Sequence, residues 1–206
     1  LASALKSELS TIDVLCNNAG TVFAKRQLTK DGFESTFAVN HLGPFLLTEL
    51  LRDRLGPDAR IVNTASVGHY QGTMDFDDLG FERGYQIMRS YGRSKLANVL
   101  YTRQLAHQFG GSGKTANALH PGAVATSIWS GAPTFAKPVL AIAKRFMTTP
   151  ADGGSRISYL ADSPDVAGLS GGYYEKDQLK TPSKLAQDGA LAERLYVESR
   201  RMVGLD

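Results

Sequence analysis

Short aliphatic runs alternate with longer runs of helical period, and this alternation limits the fold more than any other feature of the chain. IDVLC (12–16), ARIVNTAS (59–66) and TANALHP (115–121) are apolar, brief and followed by turn-forming residues. That is the pattern of strands covered on both faces. DGFESTFAVNHLGPFLLTELLRDRL (31–55), QIMRSYGRSKLANVLYTRQLAHQF (86–109), PADGGSRISYLAD (150–162) and PSKLAQDGALAERLYVESRRM (182–202) carry apolar residues at helical spacing. Pro150 suits a first helical turn, and Gly43-Pro44 predicts an irregularity within 31–55. GGYYEK (171–176) reads as a last short strand. Residues 67–86 read as a polar loop and 122–149 as an irregular apolar segment. The order implies an α/β fold with a doubly wound parallel sheet and right-handed crossovers. With neither repeat nor linker, residues 1–206 are expected to form one domain.

FGGSGKT (109–115) imitates a phosphate-binding loop, but a glycine is required five positions before Gly113, and Gln108 stands there. The direction is also reversed, because a phosphate loop runs from strand into helix. Here a helical run precedes and a strand follows, so Gly110 and Gly111 read as a helix stop. The net charge of +3 is dispersed, which gives no sign of a nucleic-acid or acidic-membrane partner. One cysteine, Cys16, precludes an internal disulfide and favours a reducing compartment. No apolar stretch reaches the ~18 residues of a membrane helix, and a cytoplasmic location is expected.

YGRSK places Tyr91 and Lys95 four residues apart, on one helical face. A phenol near pKa 10 is a poor base, and a neighbouring ammonium favours its ionised form. Such a pair can exchange a proton with an alcohol or carbonyl oxygen. NNAG (17–20), NTASVG (63–68) and HPGAVAT (120–126) each end a strand, where open α/β sheets bind ligands. VNHLG (39–43) lies within a helix. These five motifs, in this order, resemble the short-chain dehydrogenase/reductase family over essentially the whole chain. NHLGPFLLT, HPGAVAT and ALAERLYVESRRM look most like its retinol-dehydrogenase-like branch.

The resemblance implies Tyr91 as proton donor or acceptor, and Lys95 as the group that lowers its pKa and contacts the nicotinamide ribose. It implies Ser66 on the substrate oxygen, and Asn40 holding a water that links Lys95 to solvent. Asn17, Ala19 and Gly20 would line the ribose side of the cofactor, and Pro121, Gly122, Val124 and Thr126 the nicotinamide. Ile128 and Trp129, with Phe135 and Phe146, would form an apolar substrate lid. His41 and His120 fit as packing residues, and no metal site is expected. The implied activity is NAD(P)-dependent interconversion of an alcohol and a ketone or aldehyde on a fairly apolar small molecule.

The family's glycine-rich turn, which holds the pyrophosphate, has no counterpart before IDVLC. At roughly 30 residues per βαβ unit, about two units would be wanting. NADP(H) or NAD(H) is therefore expected if that part is supplied, and no cofactor if the chain is naturally short. In the second case Ser66, Tyr91 and Lys95 would serve dehydration, isomerisation or cyclisation. A non-enzymatic binding remnant is a third reading. A homodimer through the helices within 31–55 and 86–109 is a further expectation.

Overall fold

The computed structural model describes residues 1–122 and 148–205. Five strands form one sheet in the order β1-β2-β3-β4-β5: Ile12–Asn17, Leu55–Thr64, Thr115–His120, Tyr173–Glu175 and Gln178–Lys180. β1 to β4 are parallel and β5 is antiparallel to β4. The helices are α1 (Ala2–Glu8), α2 (Ser35–Phe37), α3 (Gly43–Leu50), α4 (Ile87–Gln108), α5 (Pro150–Asp162) and α6 (Gly189–Met202).

Side chains alternate across the parallel strands, and each set meets its own helices. On one face Ile61 and Ala116 pack in a cluster with Tyr101 and Leu105 of α4 and Phe45 of α3. Ala118 and Tyr173 join Leu96 and Leu100 of α4 and Leu195 of α6. On the other face Val62, Leu119 and Tyr174 pack against Leu160 of α5. Burial on both faces requires continuous aliphatic runs, which is why these strands are plain in the sequence.

β1 departs from that expectation. It forms one edge of the described sheet, with Val14 40% exposed and Cys16 exposed. β2 begins earlier than expected, at Leu55, with an irregular register opposite Ile12 and Val14. β5 was not expected at all.

The irregularity at Gly43-Pro44 is a π turn over Ala38–Leu42, closed by Gly43 N–H donating to the Ala38 carbonyl. Pro44 has no N–H, so it cannot donate the bond an α-helix would direct to the Asn40 carbonyl. A widened turn at this point accommodates that loss. Glu34 caps the start of α2, accepting from Thr36 N–H and Phe37 N–H at 2.8 Å each. It also accepts from Ser90 Oγ at 3.1 Å, which ties α2 to the beginning of α4.

The segment 109–115 follows α4 and leads into β3, as expected of a helix stop. Gly111 and Gly113 adopt φ of +75° and +81°, the left-handed region that glycine favours.

Candidate active site

The register aligns the carboxyl ends of the parallel strands: Asn17 opposite Asn63, Thr64 opposite Leu119, His120 opposite Glu175. Ser66 follows β2 in an extended conformation and caps a 3-10 turn over Val67–Gln71, its Oγ accepting from Gly68 N–H at 3.1 Å. That turn lies directly on α4. A Cβ on Gly72 would stand 2.5 Å from the Gly92 carbonyl oxygen, and one on Gly92 would stand 2.9 Å from the Gly68 carbonyl oxygen. Two glycines thus let loop and helix backbones touch. Tyr91 is next to Gly92, and a Cβ on Gly68 would meet Tyr91 Cε1 at 3.1 Å and Ser66 Oγ at 3.5 Å. Ser66 and Tyr91 are therefore brought together by a glycine contact that holds three elements in one place.

One turn further along α4, Lys95 is 3% exposed, and its Nζ donates to the Thr64 carbonyl at 2.9 Å. Asn98 Nδ2 donates to the same carbonyl at 3.1 Å. Burial pushes the Lys95 ammonium down to about 8, because a charged group loses hydration there. Nζ lies 5.7 Å from the Tyr91 ring centroid. The expected lowering of the Tyr91 pKa by Lys95 is not what this geometry gives. Burial raises the Tyr91 hydroxyl above its ordinary value, and hydrogen bonding with Ser66 opposes the rise. Desolvation of the phenolate is the larger effect on Tyr91, and the Lys95 ammonium is directed at the Thr64 carbonyl.

Asn40 sits on the π turn, fully buried. Its Oδ1 accepts from Thr21 N–H at 2.7 Å, and its Nδ2 donates to the Thr21 carbonyl and to Ser94 Oγ, each at 2.9 Å. Both amide protons are thereby committed, so the side chain clamps the loop after β1 onto α4. It is near Lys95 through Gly20, where a Cβ would stand 3.3 Å from Asn40 Oδ1 and 3.4 Å from Lys95 Nζ. Gly20 and Ala19 are exposed beside this pair.

Asn17 is placed differently from its expected role. Its Nδ2 donates to Thr48 Oγ1 at 3.0 Å and Asn63 Oδ1 at 2.8 Å. Asn63 Nδ2 in turn donates to Thr102 Oγ1 at 2.9 Å. The Asn17 side chain belongs to a buried ladder joining β1, β2, α3 and α4, turned inward from the strand ends. Pro121 and Gly122 lie at the end of β3, with the Pro121 carbonyl accepting from Arg156 at 2.7 Å. Val124, Thr126, Ile128, Trp129, Phe135 and Phe146 lie outside the described residues.

His41 packs between Phe37, Phe45 and Tyr101, with Nε2 2.9 Å from Ser199 Oγ. Full burial pushes it down to about 4, consistent with a packing residue. Three residues beyond Ser66 is a histidine that sequence reasoning passed over. His69 is fully buried, and Nδ1 is 2.7 Å from the Ser66 carbonyl oxygen. The only sequence signal was its spacing from Ser66. Among the described residues no three His, Cys, Asp or Glu side chains converge as metal ligands.

A family model described as enoyl-(acyl carrier protein) reductase matches residues 1–174. The chain is 40% identical to human retinol dehydrogenase 13, over all of this chain and 64% of that protein. It is 42% identical to human retinol dehydrogenase 14, over 94% of this chain and 59% of that one. It thus spans roughly three fifths of the length of these curated relatives. A crystal structure of an uncharacterized protein from Mycobacterium paratuberculosis superposes with a TM-score of 0.76 at 31% identity, covering 98% of this chain and 71% of that chain. A metagenomic blue fluorescent protein solved with NADPH shares the fold at a TM-score of 0.59 and 24% identity, over 84% of this chain and 67% of that chain. With Ser66, Tyr91, Lys95 and Asn40 gathered at the strand ends and the match extending along the whole sheet, the chain belongs to the short-chain dehydrogenase/reductase family, on its retinol-dehydrogenase-like branch.

Proposed function

We propose that this chain provides the proton-transfer centre of a nicotinamide-dependent oxidoreductase that interconverts an apolar alcohol with its ketone or aldehyde. The observation that carries the reading is the joint placement of Ser66, Tyr91 and Lys95 by the Gly68–Gly72 contact on α4. Ser66 Oγ holds the substrate oxygen, and the Tyr91 hydroxyl, beside it, exchanges the proton at that oxygen. Because burial raises the Tyr91 pKa, the phenol keeps its proton at neutral pH. That state suits donation to a carbonyl oxygen, the reductive direction, and oxidation is favoured as pH rises. Relatives named retinol dehydrogenases support an apolar substrate class.

The residues fit a nicotinamide ribose. Lys95 carries three donors, and among the described residues its one hydrogen bond is to the Thr64 carbonyl. Gly20 lacks the Cβ that would crowd both Asn40 and Lys95, which leaves room beside the ammonium. Gly20, Ala19 and Lys95 would hold the ribose, and Pro121 and Gly122 would flank the nicotinamide. When bound, that group supplies or accepts the hydride at the substrate carbon.

The direct test is steady-state turnover of the full-length protein with NAD(H) and NADP(H) on alcohols and aldehydes of graded apolarity. Ser66→Ala should lower kcat by about 10²–10³-fold, the size expected when a donor to the reacting oxygen is lost. Absence of nicotinamide-linked turnover on every substrate, in protein that binds the dinucleotide, would remove the reading.

Lys95→Met separates function from folding. Turnover should fall by about tenfold and KM for the dinucleotide should rise, since a ribose donor is lost. The melting temperature should hold or rise, because Asn98 still satisfies the Thr64 carbonyl and a buried charge has been replaced by an apolar chain of similar reach. With a folded pKa near 8 against an ordinary 10.5, the wild-type lysine is a cost below pH 8. Between about pH 8 and 10.5 the unfolded chain binds the extra proton, so wild-type stability rises with pH. The advantage of the methionine variant should therefore shrink across that window in melts recorded at several pH values. A melting temperature well below wild type at pH 7 would show instead that Lys95 is a stabilising element.

A further inference from the structure

His69 lies in the buried space between the turn after Ser66 and the segment that follows β5, and both ring nitrogens are engaged. Nδ1 stands 2.7 Å from the Ser66 carbonyl oxygen, a bond in which only the ring nitrogen can donate. Nε2 accepts from Ser183 N–H at 3.1 Å. One nitrogen must carry the proton and the other must be bare, which fixes a neutral ring with hydrogen on Nδ1. The Ser66 carbonyl also accepts from the His69 backbone N–H at 3.0 Å, so a single residue holds it twice. The neighbouring Tyr70 hydroxyl donates to the Thr181 carbonyl at 2.8 Å, a second tie to the same segment. The ring packs edge-on to Tyr173 of β4 at 4.5 Å. Burial holds the imidazole below its ordinary value, in keeping with a neutral ring.

We propose that His69 is a positioning residue: through its Nδ1–H bond to the Ser66 carbonyl it sets the backbone of Ser66, and with it the direction in which Ser66 Oγ meets the substrate oxygen. The Nε2 bond to Ser183 is an anchor that keeps the ring in place. This inference rests on the proposed role of Ser66 in oxidoreduction. The two ring nitrogens then have separable duties. The donor on Nδ1 serves catalysis, and the acceptor on Nε2 serves attachment of the C-terminal segment.

Asparagine and glutamine separate the two duties. An asparagine amide nitrogen falls near the position of Nδ1 and keeps a donor for the Ser66 carbonyl. A glutamine amide oxygen reaches the position of Nε2 and keeps an acceptor for Ser183. His69→Asn should retain kcat within about threefold with a lowered melting temperature. His69→Gln should lose tenfold or more in kcat, with KM for the dinucleotide unchanged and the melting temperature closer to wild type. Nitrogen-15 chemical shifts of the His69 ring in the full-length wild-type protein, at neutral pH, should report the Nδ1–H tautomer whether or not turnover is measured. An Nε2–H ring, or equal kcat in both variants, would overturn the proposal. So would a loss of kcat in His69→Asn matching that in His69→Gln. If Ser66→Ala leaves turnover intact, the oxidoreductase role of Ser66 fails while the tautomer result still stands or falls by itself.

Discussion

Tyr91→Phe should lower kcat by about 10³-fold, within the 10²–10⁴ range typical of a positioned proton-transfer group, while the protein keeps its fold. The ring remains, so the space beside Gly68 stays filled. What is removed is the hydroxyl whose ionised form burial disfavours and hydrogen bonding with Ser66 favours. The stability change should stay within about 1 kcal/mol, the net value of one partly buried hydrogen bond. Steady-state kinetics together with a thermal melt of the full-length protein supply both readings. Activity within about threefold of wild type, roughly 0.65 kcal/mol of barrier, would exclude Tyr91 from the proton transfer.

Gly72→Ala should have a large effect of a different kind, because it acts without touching any group that transfers a proton. Its new methyl would stand 2.5 Å from the Gly92 carbonyl oxygen and 2.8 Å from Leu96 Cβ, and neither is the free end of a flexible side chain. The loop must lift from α4. Overpacking of this sort costs about 2 kcal/mol, which for a domain of this size lowers the melting temperature by about 4–8 °C. The lift also moves Ser66 away from Tyr91, so kcat should fall well below wild type in the folded fraction. A melting temperature unchanged from wild type would show that the loop and helix backbones do not need to touch.

The strands were legible where both faces are covered, since Ile61 and Val62, or Ala118 and Leu119, need to be apolar for different helices. β5 was hidden because Gln178–Lys180 is exposed and polar, with no core to shape its composition. Its hairpin turn is made by Lys176 and Asp177 at φ of 51° and 61°, a backbone usually marked by glycine or asparagine. The early part of β2 was hidden by Gly56-Pro57, which reads as a turn. In the site, Tyr91 and Lys95 stood out by residue type and spacing, whereas Ser66 and Asn40 were singled out only through the family resemblance of the motifs that contain them. Asn17 could not be assigned correctly, because an asparagine at a strand end looks the same whether its amide faces a ligand or a neighbouring strand. Its partners Thr48 and Asn63, and the Thr102 that Asn63 bonds in turn, come from elements that only the fold brings together. His69 was missed for the same reason, since its second partner, Ser183, lies 114 residues away.

The π turn at Ala38–Leu42 makes this stretch intolerant of a change in length. Each residue turns an α-helix by about 100°, so the extra residue sets the faces of α2 and α3 out of phase by that angle. Thr36 and Phe37 are buried on one side of the phase break, and Phe45 and Thr48 on the other. Deleting a single residue between 38 and 42 would remove the widened turn while leaving Pro44 inside the helix with no N–H to donate. It would also swing one of those two buried sets toward water and carry the Asn40 amide off the Thr21 backbone. Shortening here by one is therefore more damaging than most substitutions. Homologous chains that align through this stretch should hold the spacing between the Glu34 and Phe45 positions constant, even where the residues between them differ.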